Sequence, residues 1–265
     1  MIKPCSHFYS TIFVAHLIMA ASVSAAPVLW IDDSSGKLGK VDVATGAVTM
    51  VGDMGITMTD IAFDPSGNLF GISFSKLYSI NQVSAAPTLI GDLGTSLNSL
   101  VFSSTGTLYG ANTSLYSIDT LTGHASNIGN GGVAYGSSGD LAFVKGNLYL
   151  SSTSPVSDSL IQIDKATGAG TNIGSIGVRN VFGMATNDNA HLYGVAGTGI
   201  YSIDTLTGHG DFLINYGGHG LGAANGTAFF YESVSTVPEP EFYLMLLAGL
   251  GLLGYVAVRR NKKEA

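Results

Sequence analysis

An all-β body of repeated sheets is what this 265-residue sequence predicts, and three observations predict it. Its 36 glycines, 46% hydrophobic residues and only 11% charged residues, without a long helical periodicity, describe short strands joined by tight turns. The stretch Asp42-Val43-Ala44-Thr45-Gly46 recurs as Asp119-Thr120-Leu121-Thr122-Gly123, Asp164-Lys165-Ala166-Thr167-Gly168 and Asp204-Thr205-Leu206-Thr207-Gly208, with a degenerate copy beginning at Asn81. A hydrophobe–aromatic pair keeps the same beat at Leu29-Trp30, Leu69-Phe70, Leu108-Tyr109, Leu148-Tyr149, Leu192-Tyr193 and Phe229-Phe230. A spacing of about 40 residues with four short strands per unit is the period of a propeller or a solenoid. The ring is favoured because Tyr, Phe and Leu at fixed positions pack between radial sheets, and closure leaves only short edges.

Residues 1–26 read as a signal peptide. Lys3 supplies a positive start, Thr11 to Ala21 is mostly apolar, and Ala21-Ser22-Val23-Ser24-Ala25-Ala26 offers the small residues a signal peptidase needs. Cleavage is expected near Ala25 or Ala26. Cys5, the one cysteine, leaves with the signal, so the mature chain has neither a disulfide nor a thiolate catalyst.

Residues 27–236 are the repeat body. In one unit Ile61-Ala62-Phe63 passes through the turn Asp64-Pro65-Ser66-Gly67-Asn68 into Leu69-Phe70-Gly71-Ile72, then Leu77-Tyr78-Ser79-Ile80 and Thr88-Leu89-Ile90-Gly91, a run of alternating strands with proline and glycine in turn positions. The pattern returns as Leu141 to Phe143, Leu148 to Leu150, Leu160 to Ile163 and Thr171 to Ile173. The Asp-x-x-Thr-Gly stretch falls between third and fourth strands, where aspartate caps the turn backbone and glycine takes positive φ. Five copies of most strands and six of the hydrophobe–aromatic pair predict a β-propeller of four-stranded blades, five in number, with six and one incomplete as the alternative. Pairing of N-terminal strands with the last blade is expected to close the ring. The phrase from Ile61 to Asn68 resembles the one that joins the first two strands in blades of NHL-like and related β-propellers, a likeness that implies a fold and carries no function.

Residues 237–265 form a tail of three parts. Val237-Pro238-Glu239-Pro240 is an extended motif, since proline lacks a backbone donor and restricts its neighbour. The uncharged run 242–258 reaches about 25 Å as a helix, enough to cross a membrane when its ends are helped. Tyr243 and Tyr255 lie near the interfaces, and Arg259, Arg260, Lys262 and Lys263 hold the basic end, 259–265, in the cytoplasm. This order resembles the PEP-CTERM sorting signal of Gram-negative bacteria. The resemblance implies recognition by a membrane-embedded exosortase, cleavage near the motif, and release to the cell surface or exopolysaccharide matrix. The stretch Gly249-Leu250-Gly251-Leu252-Leu253-Gly254 reads as G-x-G-x-x-G but lacks the strand, helix and acid of a dinucleotide site; its glycines suit helix packing in lipid.

The search for chemistry in the body is thin. Six basic residues face fourteen aspartates and Glu232, a balance that repels nucleic acid and anionic lipid. His209, His219 and Asp211 are ordinary metal-ligand types, but the equivalent turns place His124 and His209 on different blades, so no metal and no cofactor is expected. No Gly-x-Ser-x-Gly elbow occurs, and paired-carboxylate chemistry would have to use aspartates. Asp32-Asp33 beside Trp30 could bind sugar; the plainer reading gives Trp30 a core position and starts a loop at the aspartates. The sequence therefore predicts an exported, non-enzymatic surface or matrix protein whose propeller binds extracellular polysaccharide or surface proteins, processed by signal peptidase and an exosortase. The alternatives are an exported hydrolase or lyase and a membrane-tethered periplasmic adaptor.

Overall fold

Short apolar runs separated by turn residues fold into twenty strands, every one of them paired antiparallel with its neighbour in the same sheet. The structure is a computed structural model and describes residues 27–154, 158–230, 232 and 248–249. The strands make five four-stranded sheets, the blades of a five-bladed β-propeller. Blade 2 is β4 (Asp60–Phe63), β5 (Leu69–Ser73), β6 (Lys76–Ile80) and β7 (Pro87–Asp92) from axis to rim. Blade 3 is β8 (Ser99–Phe102), β9 (Leu108–Ala111), β10 (Leu115–Ile118) and β11 (Ala125–Gly129). Blade 4 comprises β12 (Gly136–Val144), β13 (Asn147–Ser154), β14 (Ser159–Ile163) and β15 (Gly170–Ser175). In blade 5 the strands are β16 (Val181–Ala185), β17 (Leu192–Ala196), β18 (Gly199–Ile203) and β19 (Gly210–Asn215).

Blade 1 is shared between the two ends of the body. The last strand, β20 (Ala224–Phe229), lies innermost and pairs with β1 (Val28–Asp33), followed by β2 (Lys37–Asp42) and β3 (Val48–Asp53). Leu29 pairs with Phe229 and Asp32 with Gly226. The ring therefore closes as expected, with the two ends of the body paired in one sheet and only short strand edges left towards the axis. Phe229-Phe230, which shares the hydrophobe–aromatic spacing, is not a sixth copy of that strand. Phe229 ends an inner strand, as Phe63 and Phe102 do.

Burial falls from axis to rim: β4 and β8 are buried throughout, whereas β3, β7 and β15 alternate between half-buried and exposed. Five apolar clusters fill the five seams between blades. Trp30, Leu38 and Met58 meet Ile61, Phe63 and Leu69 across one seam, and Leu29, Ile31 and Val41 meet Val195, Ile200 and Tyr216 across another. In four blades the aromatic of the pair meets a ring of the next blade: Trp30 on Phe63 at 5.3 Å, Phe70 on Phe102 at 5.2 Å, Tyr109 on Phe143 at 6.0 Å and Tyr193 on Phe229 at 5.3 Å. Such tilted and edge-on contacts match the ring quadrupoles.

The repeated turn works as its sequence says. Asp119 Oδ1 accepts the N–H groups of Leu121 and Thr122 at 2.8 and 3.2 Å, and Asp42, Asp164 and Asp204 repeat the arrangement. Its closing glycine lies at φ 71° to 82° in the four copies, a region open to glycine at little cost. In the degenerate copy, Asn81 Oδ1 caps Val83 and Ser84, and Ala85 takes φ 62°.

The expected membrane helix at 242–258 lies outside the described residues, except that Ala248 and Gly249 are helical. Among the described residues no helix is long and apolar enough to cross a membrane.

Candidate functional site

The equivalent position on each inner strand forms one layer around the axis: Asp60, Ser99, Asp140, Gly183 and Gly226. Two carboxyls fit because two neighbours are glycine. A Cβ at Gly226 would collide with Asp60 and stand 2.7 Å from Asp32 Oδ1, and one at Gly183 would strike Thr227. Asp60 accepts the Ile61 N–H at 2.8 Å and, from blade 3, the Leu100 N–H at 2.5 Å. Asp140 accepts the Leu141 N–H at 2.6 Å, the Met184 N–H of blade 5 at 2.5 Å and the Thr227 hydroxyl of blade 1 at 3.1 Å. The Asp60 and Asp140 carboxyls interact with each other across the axis. All five inner strands are stitched through this pair.

Both carboxyls are fully buried, and burial pushes both well above the ordinary carboxylate range. Asp32 and Glu232 are raised as well, first by burial and then by the charge of Asp140. Among the described residues neither Asp32 oxygen has a hydrogen-bond partner; the nearby amides of Asp32 and Gly226 lower its pKa without closing a bond. Asp33 behaves differently. Burial pushes it up, but the Ser35 hydroxyl and the Gly222, Lys37 and Ser35 amides, at 2.7 to 2.9 Å, outweigh burial and leave it below the ordinary range.

Asp32 and Asp33 thus belong to β1 and not to a loop, and Asp32 turns towards the axis while Trp30 sits in the core. They do not flank an exposed aromatic, so the sugar site considered there is absent. The axial layer was missed in the sequence because an aspartate opening an apolar run looks like a turn residue.

The histidines lie elsewhere. His191 Nδ1 stands 2.5 Å from Asp188 Oδ2, and His209 Nε2 3.6 Å from Asp211 Oδ1, all exposed or half-exposed. Among the described residues no three His, Cys, Asp or Glu side chains converge as a metal-ligand set.

Two open clefts lie among the turns. One, of about 660 Å³, runs along blade 4 beside Asn147, Gln162 and Asp164. The other, of about 320 Å³, lies between blades 2 and 3 and is lined by Asp64, Ser66, Phe70, Phe102, Thr105 and Thr120. Asp64 is fixed there by the Ser66 and Asn68 N–H groups at 2.9 and 2.7 Å and by Asn68 Nδ2 at 2.8 Å.

The sorting residues Val237, Pro238, Glu239 and Pro240 and the basic residues Arg259, Arg260, Lys262 and Lys263 lie outside the described residues. For this region the comparison with known families is direct: the PEP-CTERM protein-sorting motif matches residues 236–261. That signal implies an exported, membrane-anchored precursor and an exosortase substrate. No curated protein matches the chain. Among solved structures, one described as "The de novo evolutionary emergence of a symmetrical protein is shaped by folding constraints" is 19% identical, with 80% of this chain and 100% of that one covered and a TM-score of 0.50. A structural genomics protein of unknown function from Bacteroides thetaiotaomicron is 18% identical, covering 72% of this chain and 56% of its own at a TM-score of 0.48. A protein of unknown function from Bacteroides caccae is 12% identical over 72% and 73%, at a TM-score of 0.45. The likeness to the first concerns the fold alone.

Proposed function

We propose that this chain is a non-enzymatic cell-surface or exopolysaccharide-matrix protein, whose propeller binds extracellular polysaccharide or surface proteins after its tail is removed. The observation that carries the reading is the sorting motif at 236–261 set directly after a body that closes on itself at Phe229. A body of this kind keeps its core when the tail is cut, because the last ring-closing strand ends before the motif. Its NHL-like character rests on the sequence phrase from Ile61 to Asn68, with which the four-stranded blades agree. The non-enzymatic part of the reading is supported by the place of the most perturbed acids, which are closed inside the axis and tied to backbone amides.

Replacement of Pro238, Glu239 and Pro240 by alanine tests the delivery half. The variant is expected to stay in the inner membrane with its tail attached while the parent chain leaves it. Equal release of both chains would show that the tail is a plain anchor.

A further inference from the structure

Four of the five seams carry an aromatic pair, and the pairs differ in what covers them. In the seam between blades 1 and 2 the chain covers its own aromatics: Lys40 Nζ stands 4.2 Å from the Trp30 ring centroid, and Phe230 meets Phe63 edge-on at 5.2 Å. In the seam between blades 3 and 4 Lys165 Nζ stands 5.3 Å from the Phe143 centroid. Among the described residues neither Phe70–Phe102, between blades 2 and 3, nor Tyr193–Phe229, between blades 5 and 1, has a lysine cover, and it is the first of these that borders an open cleft. The strand position that holds Lys40 in blade 1 is Ser79 in blade 2, each paired with the seam aromatic, Trp30 or Phe70. The turn position that holds Lys165 in blade 4 is Thr120 in blade 3. An open cleft of about 320 Å³ remains, and its lining carries a carboxylate, Asp64, already oriented by its turn.

A cation over an aromatic face is attracted by the ring quadrupole, and a fixed carboxylate beside it adds a charge-assisted hydrogen bond. An aromatic lining with hydroxyl and carboxylate groups is also the chemistry that takes the apolar face and the rim groups of a sugar ring. We infer that this cleft is a subsite for a pyranose bearing a free ammonium, a hexosamine unit of an extracellular polysaccharide. The ammonium occupies the place that Lys165 fills one seam further on, facing Asp64, and the ring hydroxyls meet Ser66, Thr105 and Thr120. The net negative charge of the chain, -7, favours a cationic polymer over an anionic one. This inference rests on the polysaccharide-binding reading above and gives it a ligand class and a location.

The test is calorimetric titration of the purified full chain in detergent with three probes: a glucosamine tetramer, its fully N-acetylated form and a lysine tetrapeptide. The glucosamine tetramer is expected to bind at least about tenfold more tightly than either of the others. Asp64→Asn and Thr120→Lys are each expected to weaken it by about tenfold or more, the second because the new ammonium fills the cleft as Lys165 does in its own seam. Both positions are partly exposed, so the melting temperature serves as a check that the variants fold. Equal affinity for the N-acetylated sugar or the peptide, no binding of any probe, or binding indifferent to Thr120→Lys would overturn the assignment. Delivery is read separately: a chain that loses its tail and leaves the membrane but ignores the tetramer refutes the subsite and spares the delivery reading, and a chain that binds it with its tail intact does the reverse.

Discussion

Adding one methyl group at the axis, Gly226→Ala, is expected to damage the ring far beyond its size. The new Cβ would point at Asp60, colliding with both its carboxyl oxygen and its Cα, and would stand 2.7 Å from Asp32 Oδ1. Side-chain movement cannot relieve it, because the Asp60 Cα belongs to the inner strand of the next blade and the Asp60 carboxyl is held by Leu100. Overpacking a filled interior costs about 1–3 kcal/mol, and a backbone obstacle places this case near about 3 kcal/mol. In a domain of this size that lowers Tm by about 6–12 °C. Gly106→Ala is the comparison: φ is 86° and nothing lies within 4 Å of the added Cβ, so its cost is the backbone preference alone, about 1 kcal/mol. Thermal unfolding followed by circular dichroism reads both. Asp60→Asn should not rescue Gly226→Ala, since the Cα remains in the way. A Gly226→Ala shift no larger than that of Gly106→Ala would mean that β20 does not pack against β4 at the axis, and the closure described here would be wrong.

Stability should fall as pH rises above the ordinary aspartate range, because Asp32, Asp60, Asp140 and Glu232 hold their protons to higher pH when folded than when unfolded. The folded chain binds the extra protons, so the contribution is fullest below the unfolded pKa and is lost through the folded values; Asp140→Asn should flatten the slope of Tm against pH. At the acid end Asp33 and Asp188, whose carboxyls are lowered, act oppositely, and the stability they add is lost as pH drops through their folded values. Asp33→Ala removes the acceptor of four hydrogen bonds, three from Ser35 and Lys37 at the turn into β2 and one from the Gly222 amide, a loss of about 3 kcal/mol in denaturant titration; a change below about 0.5 kcal/mol would contradict that role.

What could be read from the sequence was local. Asp119 and Gly123 announce a turn because one side chain and one φ satisfy it without outside help. The beat of Leu69-Phe70 and Leu108-Tyr109 announces blades because each aromatic meets the same kind of neighbour in the next one. The closing pair β1–β20 was legible as an expectation, yet its register was not: Phe229-Phe230 matched the hydrophobe–aromatic spacing, and only pairing across nearly the whole chain shows that Phe229 ends an inner strand. The axial acids were hidden for the same reason. Asp60 and Asp140 become partners through the ring, with Leu100, Met184 and Thr227 brought in from three other blades. The open seam at Phe70 and Phe102 emerges only from comparison with the covered ones.

Delivery is most directly tested by the intact mass of the chain in membrane, medium and matrix fractions of the producing cell. The account predicts that the matrix or medium form begins near Ala26 or Pro27, ends near Pro240 and is as folded as the precursor. A matrix form that still carries residues 242–265, or a chain found only in the membrane with its tail intact, would contradict it.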